Sequence, residues 1–334
     1  MTDRARITGT GMHVPDRVVT NDDLAQLMDT SDEWIRQRSG IVTRHHVEAG
    51  QVPSELAVAA TRNALDAAGL DPGDLDCIIL ATLSAEADFP GTSFFLQRRL
   101  AVEGLPCFDL RAQCSGFVYA LSVANGFVRG GIFRRVLVVG CEVHSTGLDF
   151  STEGRDVTVL FGDGAGAVVV ETNEDPENGS EILEVRLHAQ GEYAKKLWLE
   201  APSSAIPKRI TPEIMAEKRH FPHMQGRFVF KHAVTRMPEV LLEALGAASL
   251  KIEDVDHFLF HQANLRINEY VSQQLEIPPE KCPNNIDRYG NCSAASIPML
   301  LDENVRCGRI ERGQLVAMTT FGSGFSWTSA IVRW

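Results

Sequence analysis

The stretch Asp109-Leu-Arg-Ala-Gln-Cys114-Ser-Gly-Phe-Val-Tyr-Ala-Leu-Ser-Val-Ala124 sets a cysteine at the junction of two periodicities. Ahead of it, Pro106 to Leu110 is short and strand-like. Behind it, Phe117, Ala120, Leu121 and Ala124 recur at i, i+3, i+4 and i+7, the stripe of an amphipathic or buried helix that can run to Gly130-Gly131. A cysteine in the first turn of such a helix meets unsatisfied backbone N–H groups and the positive end of the dipole. Its pKa is then expected below the ordinary thiol value, which favours the nucleophilic thiolate. Ser115 and Gly116 keep the corner uncrowded. The competing reading is a buried, inert cysteine, and the rest of the chain decides between the two.

Strand and helix signals alternate on both sides of this corner. Arg6-Ile-Thr-Gly-Thr-Gly-Met-His-Val-Pro reads as a strand closed by a glycine-rich turn, and Asn21-Asp-Asp-Leu-Ala-Gln-Leu-Met as a capped helix. Thr30-Ser-Asp-Glu-Trp-Ile is a second short helix, with Ser31 and Trp34 in the positions of a cap. A longer helix over 54–70 leads through Asp71-Pro-Gly-Asp into the apolar strand Cys77-Ile-Ile-Leu-Ala-Thr. The chain then repeats itself. Ala64 to Asp76 aligns without gaps on Ala244 to Asp256, with seven identities in thirteen positions, and each copy enters an apolar strand. Phe161-Gly-Asp-Gly-Ala-Gly resembles Phe321-Gly-Ser-Gly-Phe, and Gln113-Cys114-Ser115 has an echo in Asn291-Cys292-Ser293. A period of this length is too long for a solenoid and implies a duplicated α/β domain, its halves facing across a pseudo-two-fold axis. The boundaries read as 1–173 for the first half, 174–227 for an irregular linker and 228–334 for the second half. A site at the seam would draw residues from both.

Composition narrows the function. Of 334 residues, 44% are hydrophobic and 23% charged, which suits a soluble globular chain, and no apolar run approaches membrane-spanning length. The N-terminus carries no apolar signal region, so the expected location is the cytoplasm. Seven dispersed cysteines without a C-x-x-C pair suggest neither a disulfide framework nor a zinc knuckle, and no metal site is expected. A net charge of −12 argues against nucleic acid as a partner. Gly162-Asp-Gly-Ala-Gly lacks the spacing of a dinucleotide fingerprint and runs into a valine-rich strand, so it reads as backbone packing at the seam.

A thiolate nucleophile needs partners, and the second half supplies them. His261 ends the strand Asp256-His-Phe-Leu-Phe-His and precedes a helix, placing it where open α/β sheets bind ligands. Asn291 lies in Tyr289-Gly-Asn-Cys-Ser-Ala-Ala-Ser-Ile-Pro, at what the echo makes the pseudo-symmetric position of Cys114. Phe321-Gly-Ser-Gly-Phe is a tight turn able to aim N–H groups at an oxyanion.

With Thr30-Ser-Asp-Glu-Trp-Ile, the Cys114 elbow, Phe161-Gly-Asp-Gly-Ala-Gly-Ala, His261-Gln-Ala-Asn-Leu-Arg-Ile and Gly-Phe-Ser-Trp-Thr-Ser-Ala, these motifs resemble the thiolase superfamily, specifically β-ketoacyl-acyl carrier protein synthase III. The resemblance covers the whole chain except an insertion-like 195–227. It implies a five-layered α/β/α/β/α sandwich, a homodimer, and decarboxylative condensation of an acyl-CoA primer with malonyl-acyl carrier protein, without a cofactor. Cys114 would carry the acyl group, His261 and Asn291 would bind the malonyl thioester oxygen, and the N–H groups of Cys114 and Ser323 would hold the other oxyanion. Trp34 and Arg155, with Arg38 nearby, match residues that sandwich the adenine of CoA. Phe89 matches one that reaches into the partner subunit's acyl pocket, and Lys231 and Arg266 match the patch that receives the carrier protein. Four positions depart from the pattern: Ser323 replaces a glycine, Gln273 and Gln274 stand where some members carry lysines, and Cys292 replaces a hydroxyl residue. An acyltransferase passing the Cys114 acyl group to a hydroxyl or amine is the alternative, and a cysteine hydrolase or a non-catalytic partner subunit are further ones.

Overall fold

A computed structural model describes residues 4–174 and 179–334. The first residues of the amino-terminal half and residues 175–178 of the expected linker lie outside the described residues. The strands are β1 (Ala5–His13), β2 (Val18–Thr20), β3 (Thr43–His45), β4 (Cys77–Ala81), β5 (Cys107–Leu110), β6 (Arg135–Glu142), β7 (Gly164–Thr172), β8 (Glu181–Ala189), β9 (Leu197–Trp198), β10 (His223–Met224), β11 (His257–Phe260), β12 (Leu315–Gly322) and β13 (Ser326–Arg333). One main sheet has the order β1-β7-β6-β4-β5 and the other β8-β13-β12-β11. Read in these directions, both run antiparallel, antiparallel, then parallel. The duplication read from sequence is therefore a duplication of topology, and β5 is the strand without a counterpart.

The alternation of side chains along each strand builds the layers. Cys77, Ile79, Val136, Val138 and Val168 face inward, and from the other sheet Val316, Met318, Ala330 and Val332 face them. Between the sheets lie the helices Gly116–Arg129 and Ser296–Arg306, buried through Phe117, Leu121, Ile297 and Leu300. The opposite faces of the strands, Ile78, Leu80, Leu137 and Val139, pack on the helix Pro53–Ala68. Phe258, Phe260, Leu315 and Ala317 likewise pack on the helix Gly226–Ala247. Helix, sheet, helix, sheet, helix is the five-layered sandwich expected. No helix among the described residues is long and apolar enough to cross a membrane.

Two readings need correction. The stretch 174–227 is not all linker: β8 pairs with β13 and buries Ile182 in the central core, so its alternating Glu-Ile-Leu-Glu-Val-Arg-Leu pattern is that of a strand exposed on one face. The second half also begins its helix at Gly226, ahead of the expected 228. The second correction concerns register at the elbows. Short turns over Gln113–Ser115 and Ser293–Ala295 open the two central helices, and their first residues, Gln113 and Ser293, hold left-handed φ values of 46° and 45°. Cys114 is thus equivalent to Ala294, and Asn291 stands three residues ahead of that point. The echo between Gln-Cys-Ser and Asn-Cys-Ser is two residues out of register, because backbone conformation and not the shared cysteine sets the correspondence. The corners meet closely: a Cβ on Gly140 of β6 would lie 2.2 Å from the Ala294 carbonyl oxygen.

Candidate active site at the seam of the two halves

Cys114 is 8% exposed and sits on the turn before the helix Gly116–Arg129, where β5 delivers it to the seam. The Ser293 hydroxyl approaches its Sγ at 3.5 Å from the second half, and the backbone N–H groups of Cys114 and Ser323 also point at the sulfur. These donors favour thiolate, but burial outweighs them and pushes the thiol up to about 11. The expected lowering of the thiol pKa is therefore not what the folded chain shows, since the desolvation of a fully enclosed sulfur exceeds the benefit of the elbow's N–H groups. Cys114 rests as a neutral thiol.

His261 follows β11 and receives its register from a backbone bond to the Thr319 carbonyl at 2.9 Å. Its Nδ1 lies 2.6 Å from Ser296 Oγ, and that oxygen in turn accepts the Gln262 N–H at 3.4 Å. With Oγ already an acceptor, its hydroxyl proton is free to go to Nδ1, which leaves the hydrogen of the imidazole on Nε2. Nε2 is buried and has no hydrogen-bond partner among the described residues, so it is the group aimed at something that arrives. Burial holds this ring at about 3, and it is neutral throughout the working pH range. Asn291 is held by a backbone bond to Leu160 at 2.8 Å, while its carbonyl accepts the Gly162 N–H at 3.2 Å. Its side-chain oxygen accepts the Ser293 N–H at 2.9 Å. That bond turns the amide so that its NH2 group is the free end. The glycine-rich run is backbone packing, as expected: a Cβ on Gly162 would lie 2.2 Å from the Tyr289 carbonyl oxygen.

Cys114, His261 and Asn291 line one cavity of about 790 Å³, together with Trp34, Arg38, Arg155 and Arg266. At the outer end the Arg38 guanidinium lies 4.2 Å from the Trp34 ring centre and that of Arg155 5.2 Å. Arg38 is thus closer to the indole than Arg155, which also donates to the backbone carbonyl and, at 3.3 Å, the carboxylate of Asp29. Leu197 and Met224 of the β9–β10 hairpin form part of the wall, which brings the 195–227 segment to the cavity. The Ser323 hydroxyl donates to the Leu197 carbonyl and so ties the oxyanion turn to that wall. Phe89 and Lys231 lie outside the cavity: Phe89 is 82% exposed on the loop after β4, and Lys231 is exposed on the helix Gly226–Ala247. Sequence reasoning missed Ser293, Ser296 and Glu142. The first two sit in the quoted Ser-Ala-Ala-Ser run, and their spacing of three is the only signal they give.

A duplicated five-layered fold with a cysteine thiol at its seam is the architecture of the thiolase class of acyl-transferring enzymes. Comparison narrows the class. Residues 108–191 match the family model 3-oxoacyl-[acyl-carrier-protein] synthase III, and 245–334 match its C-terminal model. The β-ketoacyl-[acyl-carrier-protein] synthase III of Methylococcus capsulatus is 46% identical over 330 residues, 99% of each chain. That of a Roseiflexus species is 42% identical over 100% of this chain and 99% of its own. The crystal structure of 3-oxoacyl-[acyl-carrier-protein] synthase III from Aquifex aeolicus superposes with a TM-score of 0.90 at 41% identity, covering 99% of this chain and 100% of that one. The chain belongs to the β-ketoacyl-[acyl-carrier-protein] synthase III family.

Proposed function

We propose that the protein condenses an acyl-CoA primer with malonyl-acyl carrier protein in two stages through Cys114, giving a β-ketoacyl-carrier protein and CO2. The observation that carries this reading is the convergence of Cys114, the unpartnered Nε2 of His261 and the free amide end of Asn291 in one cavity whose mouth bears Trp34 and Arg38. In the first stage the Cys114 sulfur attacks the acyl-CoA carbonyl while the N–H groups of Cys114 and Ser323 receive the oxyanion. The thiol loses its proton and the departing CoA thiolate gains one, so acylation is proton-neutral. In the second stage the C–C bond to the malonyl carboxylate breaks, CO2 leaves, and the electron pair remains as an enolate. His261 Nε2–H and the Asn291 NH2 group hydrogen-bond the enolate oxygen, where charge grows as the bond breaks. The enolate carbon attacks the Cys114 thioester, and collapse expels the Cys114 sulfur, which takes up a proton.

Trp34, Arg38 and Arg155 fit the nucleotide end of CoA, a flat π-face with cations against it. Arg266 at the mouth and Lys231, exposed on the helix Gly226–Ala247, make no ion pair among the described residues, although the chain as a whole is acidic, which suits an acidic carrier protein. Assembly as a homodimer is supported by β5, an open edge strand bearing the half-exposed Phe108, with Phe89 and Phe94 exposed nearby. Seven unpaired cysteines favour work in a reducing compartment, the cytoplasm. No resident cofactor enters the cycle. The test is intact-protein mass after incubation with acyl-CoAs of increasing length. One acyl group gained by the wild type and none by Cys114→Ala supports acylation; no gain with any acyl-CoA refutes it. CO2 release dependent on malonyl-carrier protein then separates condensation from transfer to a hydroxyl or amine.

A further inference from the structure

Glu142 closes β6 directly behind the site, has no exposed surface, and plays no part in the cycle above. Its carboxylate accepts the Ser84 hydroxyl at 2.6 Å, the Thr82 hydroxyl at 3.2 Å, and the backbone N–H groups of Leu83 and Ser84 at 3.2 Å each. The backbone N–H of Ala294, the residue equivalent to Cys114 in the second half, also bonds to it. One buried carboxylate therefore joins the turn after β4 to the second elbow, and that elbow carries the Ser293 hydroxyl that meets Cys114. A stretch of backbone could be held by a neutral acceptor. A carboxylate placed where all its neighbours are donors brings a charge as well.

We propose that Glu142 is a positioning residue for Cys114, holding the turn after β4 and the second elbow together behind the nucleophile and setting, through its charge, how readily the thiol ionises. The arrangement supports both halves of this statement. The carboxylate acts electrostatically on Cys114 and raises its thiol, and it does the same to the neighbouring thiols Cys141 and Cys292. The other carboxylates facing this group of thiols are Asp163, acting on Cys141 and Cys292, and Glu86, acting on Cys141. Burial lifts Glu142 itself to about 7, against the hydrogen bonds that favour its charged form. The charge behind the nucleophile is thus present above neutrality and absent well below it.

The inference rests on Cys114 being the nucleophile of the proposed reaction. The experiment reads the thiol directly, without substrate, so its failure and a failed condensation assay are separate outcomes. The full-length protein and Glu142→Gln are treated with dithiodipyridine across a pH series, and the modification rate is mapped to Cys114 by peptide mass. Glutamine keeps the shape and removes the charge. At about pH 9 the variant's Cys114 reacts about three- to tenfold faster, a shift of about half a unit to one unit in the thiol pKa. At about pH 6, where Glu142 is protonated in the wild type, the ratio returns to about one. A ratio that stays flat across the series overturns the proposal, because a merely loosened elbow speeds the reaction equally at every pH. Glu142→Asp, which keeps the charge, holds the ratio near one at both ends if the charge is the cause, and a pH-dependent rise in that variant counts against it. If Glu142→Gln does not fold, Ser84→Ala gives the same reading: removing a donor makes Glu142 harder to ionise and moves the ratio in the same direction by less.

Discussion

Replacing Ser296 with alanine isolates the tautomer argument. The Ser296 hydroxyl lies 2.6 Å from His261 Nδ1 and is oriented by the Gln262 N–H. It is therefore the group that leaves the imidazole hydrogen on Nε2. Deletion removes one buried hydrogen bond and leaves Nδ1 unsatisfied in a dry site, a cost of about 1–3 kcal/mol. Because the lost interaction serves the group that meets the developing enolate, this cost falls on the decarboxylation transition state. That is roughly a 5- to 150-fold loss in the rate of CO2 release from malonyl-carrier protein. Acylation of Cys114 uses the N–H groups of Cys114 and Ser323 and should stay within about twofold of wild type. The assay pairs labelled CO2 release with the time course of acyl-enzyme mass, and a thermal melt checks that the variant is folded. The reasoning is refuted if acylation slows as much as decarboxylation, or if CO2 release is unchanged. A second readout comes from pH. Since His261 is held at about 3, the profile between pH 5 and 8 should contain no step from its ionisation.

Three further outcomes are expected. Trp34→Ala should raise KM for acyl-CoA by about three- to thirtyfold, the equivalent of one cation–π stack in a partly desolvated site, with kcat at saturation little changed; a fall in kcat alone would contradict a binding role. Gly140→Ala places a Cβ 2.2 Å from the Ala294 carbonyl oxygen and should destabilise by more than about 2 kcal/mol in urea unfolding, while the same change at Gly73, where a Cβ meets nothing, should be mild. The pH dependence of stability has a definite sign for each buried group. His144 and His261 are depressed by burial to about 4 and about 3 from 6.5, so the unfolded chain binds protons that the fold refuses, and they lower stability as pH falls below 6.5. Glu142 is raised to about 7 from 4.5, so its contribution is present below 4.5 and lost as pH rises through 7. Denaturant unfolding of wild type and Glu142→Gln across this range should show the wild type losing ground to the variant as pH rises, and the opposite slope would refute the assignment.

Much of the fold and of the site is legible in the amino-acid sequence alone. The change of period at Cys114 locates the elbow because a strand ending and a helix beginning have different hydrophobic spacings, and Ser31 does cap the Trp34 helix, with the Trp34 N–H donating to its hydroxyl at 3.1 Å. The duplication is legible because both halves repeat one strand and helix order. What a sequence cannot supply are quantities set by depth. The helix-end rule predicts an acidified Cys114 thiol, and enclosure by both halves reverses it. Nor can it show that the Ser323 hydroxyl holds the Leu197 carbonyl, because residues 126 positions apart meet only through the packing of β8 and β13. Glu142 reads as the last residue of an apolar strand, and its donors come from a turn some sixty residues earlier and from the other half of the molecule.

The buried groups share one property that bears on how the cycle closes. Cys114 rests protonated, His261 rests neutral, and Asn291 carries no charge, so in the free enzyme the three groups that meet the reacting atoms are all uncharged, while guanidinium groups of the cavity flank Trp34 and, with Arg266, stand at the mouth. A cation placed to stabilise an enolate would also bind the malonyl carboxylate and hold it in the ground state, which opposes the loss of CO2. Neutral donors in a low-dielectric site act more selectively, because they gain most when charge moves from the departing carboxylate to the thioester oxygen. The high thiol pKa has a matching consequence at the last step. Collapse of the condensation intermediate expels Cys114 as a thiolate into a site that disfavours that form, so proton uptake by the sulfur is strongly downhill there. That uptake balances the equation, since a malonyl carboxylate leaving as CO2 requires one proton overall. The burial that makes Cys114 slow to ionise at the start therefore restores it at the end, and the acidity of this thiol is a compromise between its two roles.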